Sequence, residues 1–192
     1  MTATLSQITF SEYLLLPYDG RRTELVNGKI IEMSEASPLH VDIIDFLMEL
    51  LKAHILAEGL DLVVRAGTGI EIPRESGFNN ARDPDLVVCQ RQQWRAMRHL
   101  TKAVFLSGNA PSLAIEVVSP GNSTVDTVDK RQEYALAGVP EYWIVNPVDG
   151  YILVLLLDGD DYRELGEFRG DELIASKLLP RFSVSAEAAL NP

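Results

Sequence analysis

Leu113-Ala114-Ile115-Glu116-Val117-Val118 sets one carboxylate inside an apolar run, and Pro84-Asp85-Leu86-Val87-Val88-Cys89 opens a second apolar run on another. Leu86-Val87-Val88 and Ala114-Ile115 show no polar alternation, the pattern of strands covered on both faces. A carboxylate between Ile115 and Val117 is costly to bury without a counter-charge, a metal or a proton. Two such acids on neighbouring strands, aimed at one point, form a hard-cation site suited to Mg²⁺ or Mn²⁺. The same pattern fits plainer roles, with Asp85 capping a strand end and Glu116 paired with an arginine. Two close carboxylates repel in the absence of a cation, so neutralising one is expected to leave the fold intact or stabilised.

Downstream, Ser123 to Ala137 reads as a helix. Ser123 with Asp126 resembles a capping box, and Gly138 and Pro140 close the segment. Lys130 lies on this helix, fourteen positions after Glu116. From there it can reach back to the end of the strand and hold a water or steady a phosphate. The alternative is a solvated lysine paired with Asp126 at i,i+4. Tyr134 shares the face of Lys130, either orienting it or packing.

Upstream, Glu24-Leu25-Val26-Asn27-Gly28-Lys29-Ile30-Ile31 carries Asn-Gly between two β-rich runs, which predicts a tight hairpin. Thr9 and Glu12 form a capping box ahead of a short helix that stops before Pro17. Ser37-Pro38 opens a long helix with a capping serine and proline in its first turn, and Gly59 ends it. Its polar stripe is narrow, Asp42, Asp45, Glu49 and Lys52, so broad packing against a sheet is expected. His40 stands in its first turn, as a capping or packing residue or as a neutral imidazole serving a site. Further strands are expected at 61–65, 69–72, 141–146 and 151–157, with weaker ones near Tyr162 and Leu173, and a loop at 74–82.

The chain has 192 residues, an ordinary size for one domain. It carries 28 acidic and 17 basic side chains, a net charge of −11. That excludes non-specific nucleic-acid binding by overall charge and requires any such partner to meet a local basic track. Arg91, Arg95, Arg98 and Lys102 would share one face if their segment is helical, and Arg21, Arg22 and Lys29 flank Glu24 as a second candidate. Cys89 is the only cysteine, which excludes an intrachain disulfide and a cysteine-based zinc cluster. No apolar run nears the roughly 18 residues of a membrane span. The opening MTATLSQITF lacks the pattern of a secretory signal. A cytoplasmic protein with no membrane partner is expected.

Taken together, several segments resemble the Uma-two endonuclease family, within the PD-(D/E)XK nuclease superfamily. They are Arg22-Thr23-Glu24-Leu25-Val26-Asn27-Gly28-Lys29, Ser37-Pro38-Leu39-His40, Arg82-Asp83-Pro84-Asp85-Leu86-Val87-Val88, Ile115-Glu116-Val117-Val118-Ser119-Pro120, Asp129-Lys130 and the stretch Tyr134 to Pro147. The resemblance implies an α/β (α+β) restriction-endonuclease-like core, a central mixed β-sheet flanked by helices, as a single domain over 1–192. Asp85 matches the aspartate of the motif, Glu116 the following acid and Glu24 an early glutamate beside the metal. Val118 stands where the superfamily usually has lysine, and Lys130 is its natural substitute. The implied function is a Mg²⁺- or Mn²⁺-dependent endonuclease hydrolysing phosphodiester bonds in DNA. Asp85, Glu116 and Glu24 would be the metal residues, and these three with Lys130 the catalytic set. The alternative, which Val118 and the acidic charge favour, is a non-catalytic nucleic-acid or protein binding module on the same fold. A homodimer is expected, since two sites related by a two-fold axis cut both strands most simply. The late strands could supply its apolar surface.

Overall fold

The turn at Asn27-Gly28 forms as its dipeptide demands, with φ of 52° and 73°. Both values lie in the left-handed region that a two-residue hairpin requires. It joins β1 (Thr23–Val26) to β2 (Lys29–Glu32) in antiparallel register. The computed structural model describes residues 7–17, 20–119 and 128–192. Ahead of the hairpin, Thr9 caps α1 (Phe10–Leu15): its hydroxyl accepts from the Glu12 amide at 3.2 Å, and Glu12 accepts from the Thr9 amide at 2.7 Å.

Ser37 caps α2 (Pro38–Ala57) by accepting from the His40 amide at 3.3 Å. The buried residues of α2 are His40, Ile43, Leu47, Leu51 and Ile55, a single row at helical spacing. Ile44, Phe46, Met48 and Leu50 flank that row and pack partly buried against the same core, which is the broad packing expected, while Leu39, Val41 and Leu56 stay exposed.

Then come β3 (Leu62–Arg65), β4 (Gly69–Ile72), β5 (Asn80–Arg82), β6 (Leu86–Gln90), α3 (Arg91–Ala96), β7 (Val104–Phe105) and β8 (Leu113–Val117). The chain ends with α4 (Lys130–Ala137), β9 (Glu141–Asn146), β10 (Tyr151–Asp158), β11 (Asp161–Phe168) and α5 (Ala186–Leu190). The expected loop at 74–82 is thus shortened by β5, and Leu173 makes only an isolated bridge to Ser185. Ser123 and Asp126, expected to cap the helix that continues as α4, lie outside the described residues. Gly138 ends α4 with φ 78°.

The strands form two mixed sheets. One has the order β2-β1-β5-β4-β7, the other β11-β10-β9-β8-β6-β3. Their parallel pairs are β4 with β7 and β8 with β9. The six-stranded sheet is central. Leu86, Val88, Leu113, Ile115 and Val117 face a core shared with α2 and α5. Val87, Cys89, Ala114 and Val118 face the opposite core, with Tyr134 and Ala135 of α4. This two-sided covering is what the unbroken apolar runs require. β10 lies between β9 and β11, with Ile152, Val154, Leu155 and Leu156 buried. These four side chains are therefore spent on the core; of the other late positions Tyr162 is buried, while Leu165 and Leu173 are exposed.

A hinge between the sheets follows from the sequence. The chain leaves β5 at Arg82, turns through Asp83-Pro84-Asp85 and enters β6 in the other sheet. Proline suits this corner, since it donates no ladder hydrogen bond.

The hairpin turn generates a stability prediction. A Cβ on Gly28 would lie 2.7 Å from the Gln7 Cβ, and the left-handed backbone alone costs a non-glycine residue about 1–2 kcal/mol. Gly28→Ala is expected to lower unfolding free energy by at least that amount in urea denaturation. An unchanged midpoint and slope would contradict this reading of the turn.

Candidate functional site

β6 and β8 are antiparallel, with Leu86 opposite Ile115 and Val87 opposite Ala114. One step further along this register, Asp85 stands across from Glu116. Residues alternate faces along a strand, so Asp85 shares the face of Val87 and Cys89, and Glu116 that of Ala114 and Val118. Both acids therefore point to the side covered by α4. The Val117 amide donates to Asp85 Oδ2 at 2.9 Å, fixing the carboxylate at the strand end.

Glu24, Asp85, Glu116 and Lys130 all line one cleft of about 400 Å³. They are 5%, 4%, 2% and 3% exposed. Each carboxylate has protein cations beside it. Arg22 donates to Asp85 Oδ1 at 3.2 Å, and His40 Nε2 lies 3.3 Å from the same oxygen. Lys130 Nζ is 2.9 Å from Glu116 Oε1 and 3.5 Å from Glu24 Oε1. The Tyr134 hydroxyl donates to Glu116 Oε1 at 2.5 Å. Arg82 donates to Glu24 Oε2 at 2.6 Å and also bonds Glu133, which accepts from Asn80 at 2.6 Å. This chain of alternating charge lets five acids, Glu24, Asp83, Asp85, Glu116 and Glu133, sit around one buried centre.

Burial is the largest influence on Asp85 and by itself raises a carboxyl pKa. His40, the Val117 amide and Arg22 together outweigh it and hold Asp85 below its ordinary 3.8. These partners favour the Asp85 anion, against the gain expected on neutralising it. Asp83 differs: burial outweighs Arg22 and raises its carboxyl. Burial, then the Glu116 charge, pushes the Tyr134 phenol well above 10, so it stays a donor to Glu116.

Lys130 reaches the site from the helix that covers it. Val118 is buried in the same core as Tyr134, so the position two after Glu116 is filled by packing while the ammonium arrives from the opposite direction. Tyr134 bonds the Glu116 carboxylate, the same oxygen that Lys130 approaches. His40 is buried in the cleft, and its Nδ1 lies 3.2 Å from the Ser119 hydroxyl. Besides donating its amide to the Ser37 cap, it lines the same cleft as Asp85 and Glu116.

Other expectations fared differently. α3 ends at Ala96, and its cap residue Met97 is buried in the core cluster that also holds Phe105. Arg91 pairs with Asp61 at 2.9 Å, and Lys102 sits over the Tyr13 ring at 3.9 Å. Arg91, Arg95, Arg98 and Lys102 thus make no single helical stripe. Arg82, Glu133 and Asn80 escaped the sequence reading. The available signal was spacing, with Arg82 three residues before Asp85 and Glu133 one helical turn after Lys130. Among the described residues, no group of three or more His, Cys, Asp and Glu side chains is arranged to hold a metal ion.

A family model described as "Uma2: Putative restriction endonuclease" matches residues 10–188. The crystal structure of a "putative nuclease belonging to DUF820" from Anabaena variabilis ATCC 29413 superposes with a TM-score of 0.76. It covers 95% of this chain and 97% of that one at 19% identity. At that identity the likeness is one of fold. No curated protein matches. The family match runs from α1 into α5 and through every segment that builds the carboxylate cleft, and so the chain belongs to the Uma2 family of restriction-endonuclease-like proteins.

Proposed function

We propose that the chain is a metal-dependent endonuclease that hydrolyses phosphodiester bonds in DNA. The observation that supports this reading is the pair Asp85 and Glu116, opposed on one face of β6 and β8, with Lys130 on Glu116 at 2.9 Å. The donor set suits a hard cation. Mg²⁺ needs only one or two protein carboxylates and keeps waters and substrate oxygens for the rest of its shell. Two carboxylates and the Val117 carbonyl meet that need, whereas they do not make a zinc cage. Asp85 and Glu116 would hold the ion. When bound, Mg²⁺ or Mn²⁺ supplies an acidified water and offsets negative charge at phosphorus.

The chain's own residues do the rest. The Lys130 ammonium orients the attacking water and faces the oxygens on which charge builds. Glu24 accepts from Arg82 and lies near Lys130, which favours its role as the residue that positions Lys130 over that of a third metal ligand. Arg22 holds Asp85 as an anion and exchanges that contact for a phosphate oxygen when the substrate enters. Two copies in a cytoplasmic homodimer would place two such clefts on one duplex.

The second reading is a binding module without chemistry. One observation favours it: Arg22 and Lys130 already neutralise Asp85 and Glu116. Metal-dependent stabilisation separates the two readings. Saturating Mn²⁺, at about 100 times its dissociation constant, is expected to stabilise the wild type by about 2.7 kcal/mol. In a chain of this size that raises the melting temperature by about 5–10 °C. Asp85→Asn and Glu116→Gln are expected to show no such rise. A wild type indifferent to Mn²⁺ favours the binding module.

The same variants carry a pH signature. Because the folded pKa of Asp85 lies below 3.8, its stabilising contribution is complete above the unfolded value and fades as pH falls through the folded one. Asp85→Asn without metal is expected to be less stable than wild type by roughly 1–3 kcal/mol at pH 7. That gap should close below about pH 3.8. A gap constant with pH would assign the loss to packing.

With Mn²⁺ present, Lys130→Gln is expected to slow cleavage of DNA by about 10²-fold or more. Cleavage at the wild-type rate would remove Lys130 from the chemistry. Sedimentation at micromolar concentration is expected to give about twice the 21.3 kDa chain mass. A monomer throughout would sink the dimer.

A further inference from the structure

Asp85 meets its partners unevenly. Arg22 Nη1 at 3.2 Å and His40 Nε2 at 3.3 Å both approach Oδ1, whereas Oδ2 accepts from the Val117 amide at 2.9 Å. Each carboxylate oxygen has two lone pairs to share. Oδ1 is therefore full, while among the described residues Oδ2 has taken one donor. A cation that binds Oδ1 has to displace Arg22 or His40.

These two donors are not equally free to leave. The Arg22 side chain is 37% exposed, and exposed side chains change rotamer readily. The His40 side chain is 10% exposed. It stands in the first turn of α2, where its amide donates to the Ser37 hydroxyl at 3.3 Å. It also begins the buried row that continues through Ile43 and Leu47. A ring at the foot of a packed helix has little room to turn away.

Ser119 holds the ring from its other side. The Ser119 hydroxyl is 3.2 Å from His40 Nδ1. It lies two residues beyond Val117, whose amide fixes the second oxygen of Asp85. The Asp85 anion only accepts, which puts the ring hydrogen on Nε2 and leaves Nδ1 of the neutral imidazole to accept from Ser119. One ring thus joins α2, the residue before β6 and the exit of β8.

We propose that His40 is a positioning residue for Asp85: it stays on Oδ1 when Arg22 leaves and aims the carboxylate at the divalent cation, with Ser119 holding the imidazole in place. The inference rests on the metal-dependent reading of the cleft and adds to it a residue that acts through Asp85.

Calorimetric titration with Mn²⁺ tests this. Loss of an outer partner of a metal ligand weakens metal binding by about 10–100-fold. His40→Phe keeps a ring without its nitrogens and is expected to show that loss. His40→Gln, whose side-chain amide can donate where Nε2 did, is expected to recover most of it. Ser119→Ala is expected to weaken Mn²⁺ binding several-fold. Long-range ¹H–¹⁵N NMR of the metal-free wild type reads the ring itself. The chain has three histidines, and the signals missing from His40→Gln are those of His40. They are expected to show hydrogen on Nε2 and none on Nδ1. Mn²⁺ affinity unchanged in His40→Phe would overturn the proposal, as would a folded His40→Gln as weak as His40→Phe. Where His40→Phe does not fold, the tautomer decides, and hydrogen on Nδ1 overturns the proposal. A wild type that binds no Mn²⁺ removes the metal-dependent reading and this role with it. A wild type and His40→Phe that bind Mn²⁺ equally leave that reading standing and remove His40 alone.

Discussion

The hydrogen bond from the Val117 amide to Asp85 Oδ2, at 2.9 Å, ties the site to the fold. It joins the first residue before β6 to the last residue of β8, across a register that sets Asp85 opposite Glu116. Shifting that register by one residue would turn Glu116 to the other face of the sheet, into the core against α2. Covering on both faces is what forbids the slip. Leu113, Ile115 and Val117 have one apolar core to fill, and Ala114 and Val118 another. The placement of Asp85 and Glu116 is thus enforced by apolar residues on both faces of the sheet.

Burying so many acids at one centre requires compensation. Arg82 links Glu24 to Glu133, Lys130 links Glu24 to Glu116, and Arg22 links Asp83 to Asp85. Removing one member leaves a neighbour charged and unpaired, so the network stands or falls as a unit. On the proposed reading, a divalent cation would compete with Arg22 and Lys130 for oxygens they already engage, and a phosphate that drew Arg22 away would assist it. Metal and substrate binding should therefore favour each other.

Much of this architecture was legible in the chain. Asn27-Gly28, Ser37-Pro38 and Gly138 each need or supply one backbone geometry, so they mark turn and helix ends without tertiary information. Glu116 inside an apolar strand is conspicuous because its burial is expensive. The five-stranded sheet was harder to see, since β5 and β7 have three and two residues, too few to show a period. Arg82 and Glu133 meet across 51 residues, and no local pattern announces such a pair. The spacing of Arg91, Arg95, Arg98 and Lys102 shows one face only if the segment is helical throughout, and nothing local in it marks a helix end at Ala96.

The central claim is that Asp85 and Glu116 together hold one divalent cation. Anomalous diffraction from crystals soaked in Mn²⁺ tests it most directly. The account predicts one strong peak between the two carboxylates, about 2.1 Å from an oxygen of each, with Arg22 drawn off Asp85. A map with no peak there, and with the Arg22–Asp85 and Lys130–Glu116 contacts intact, would contradict it.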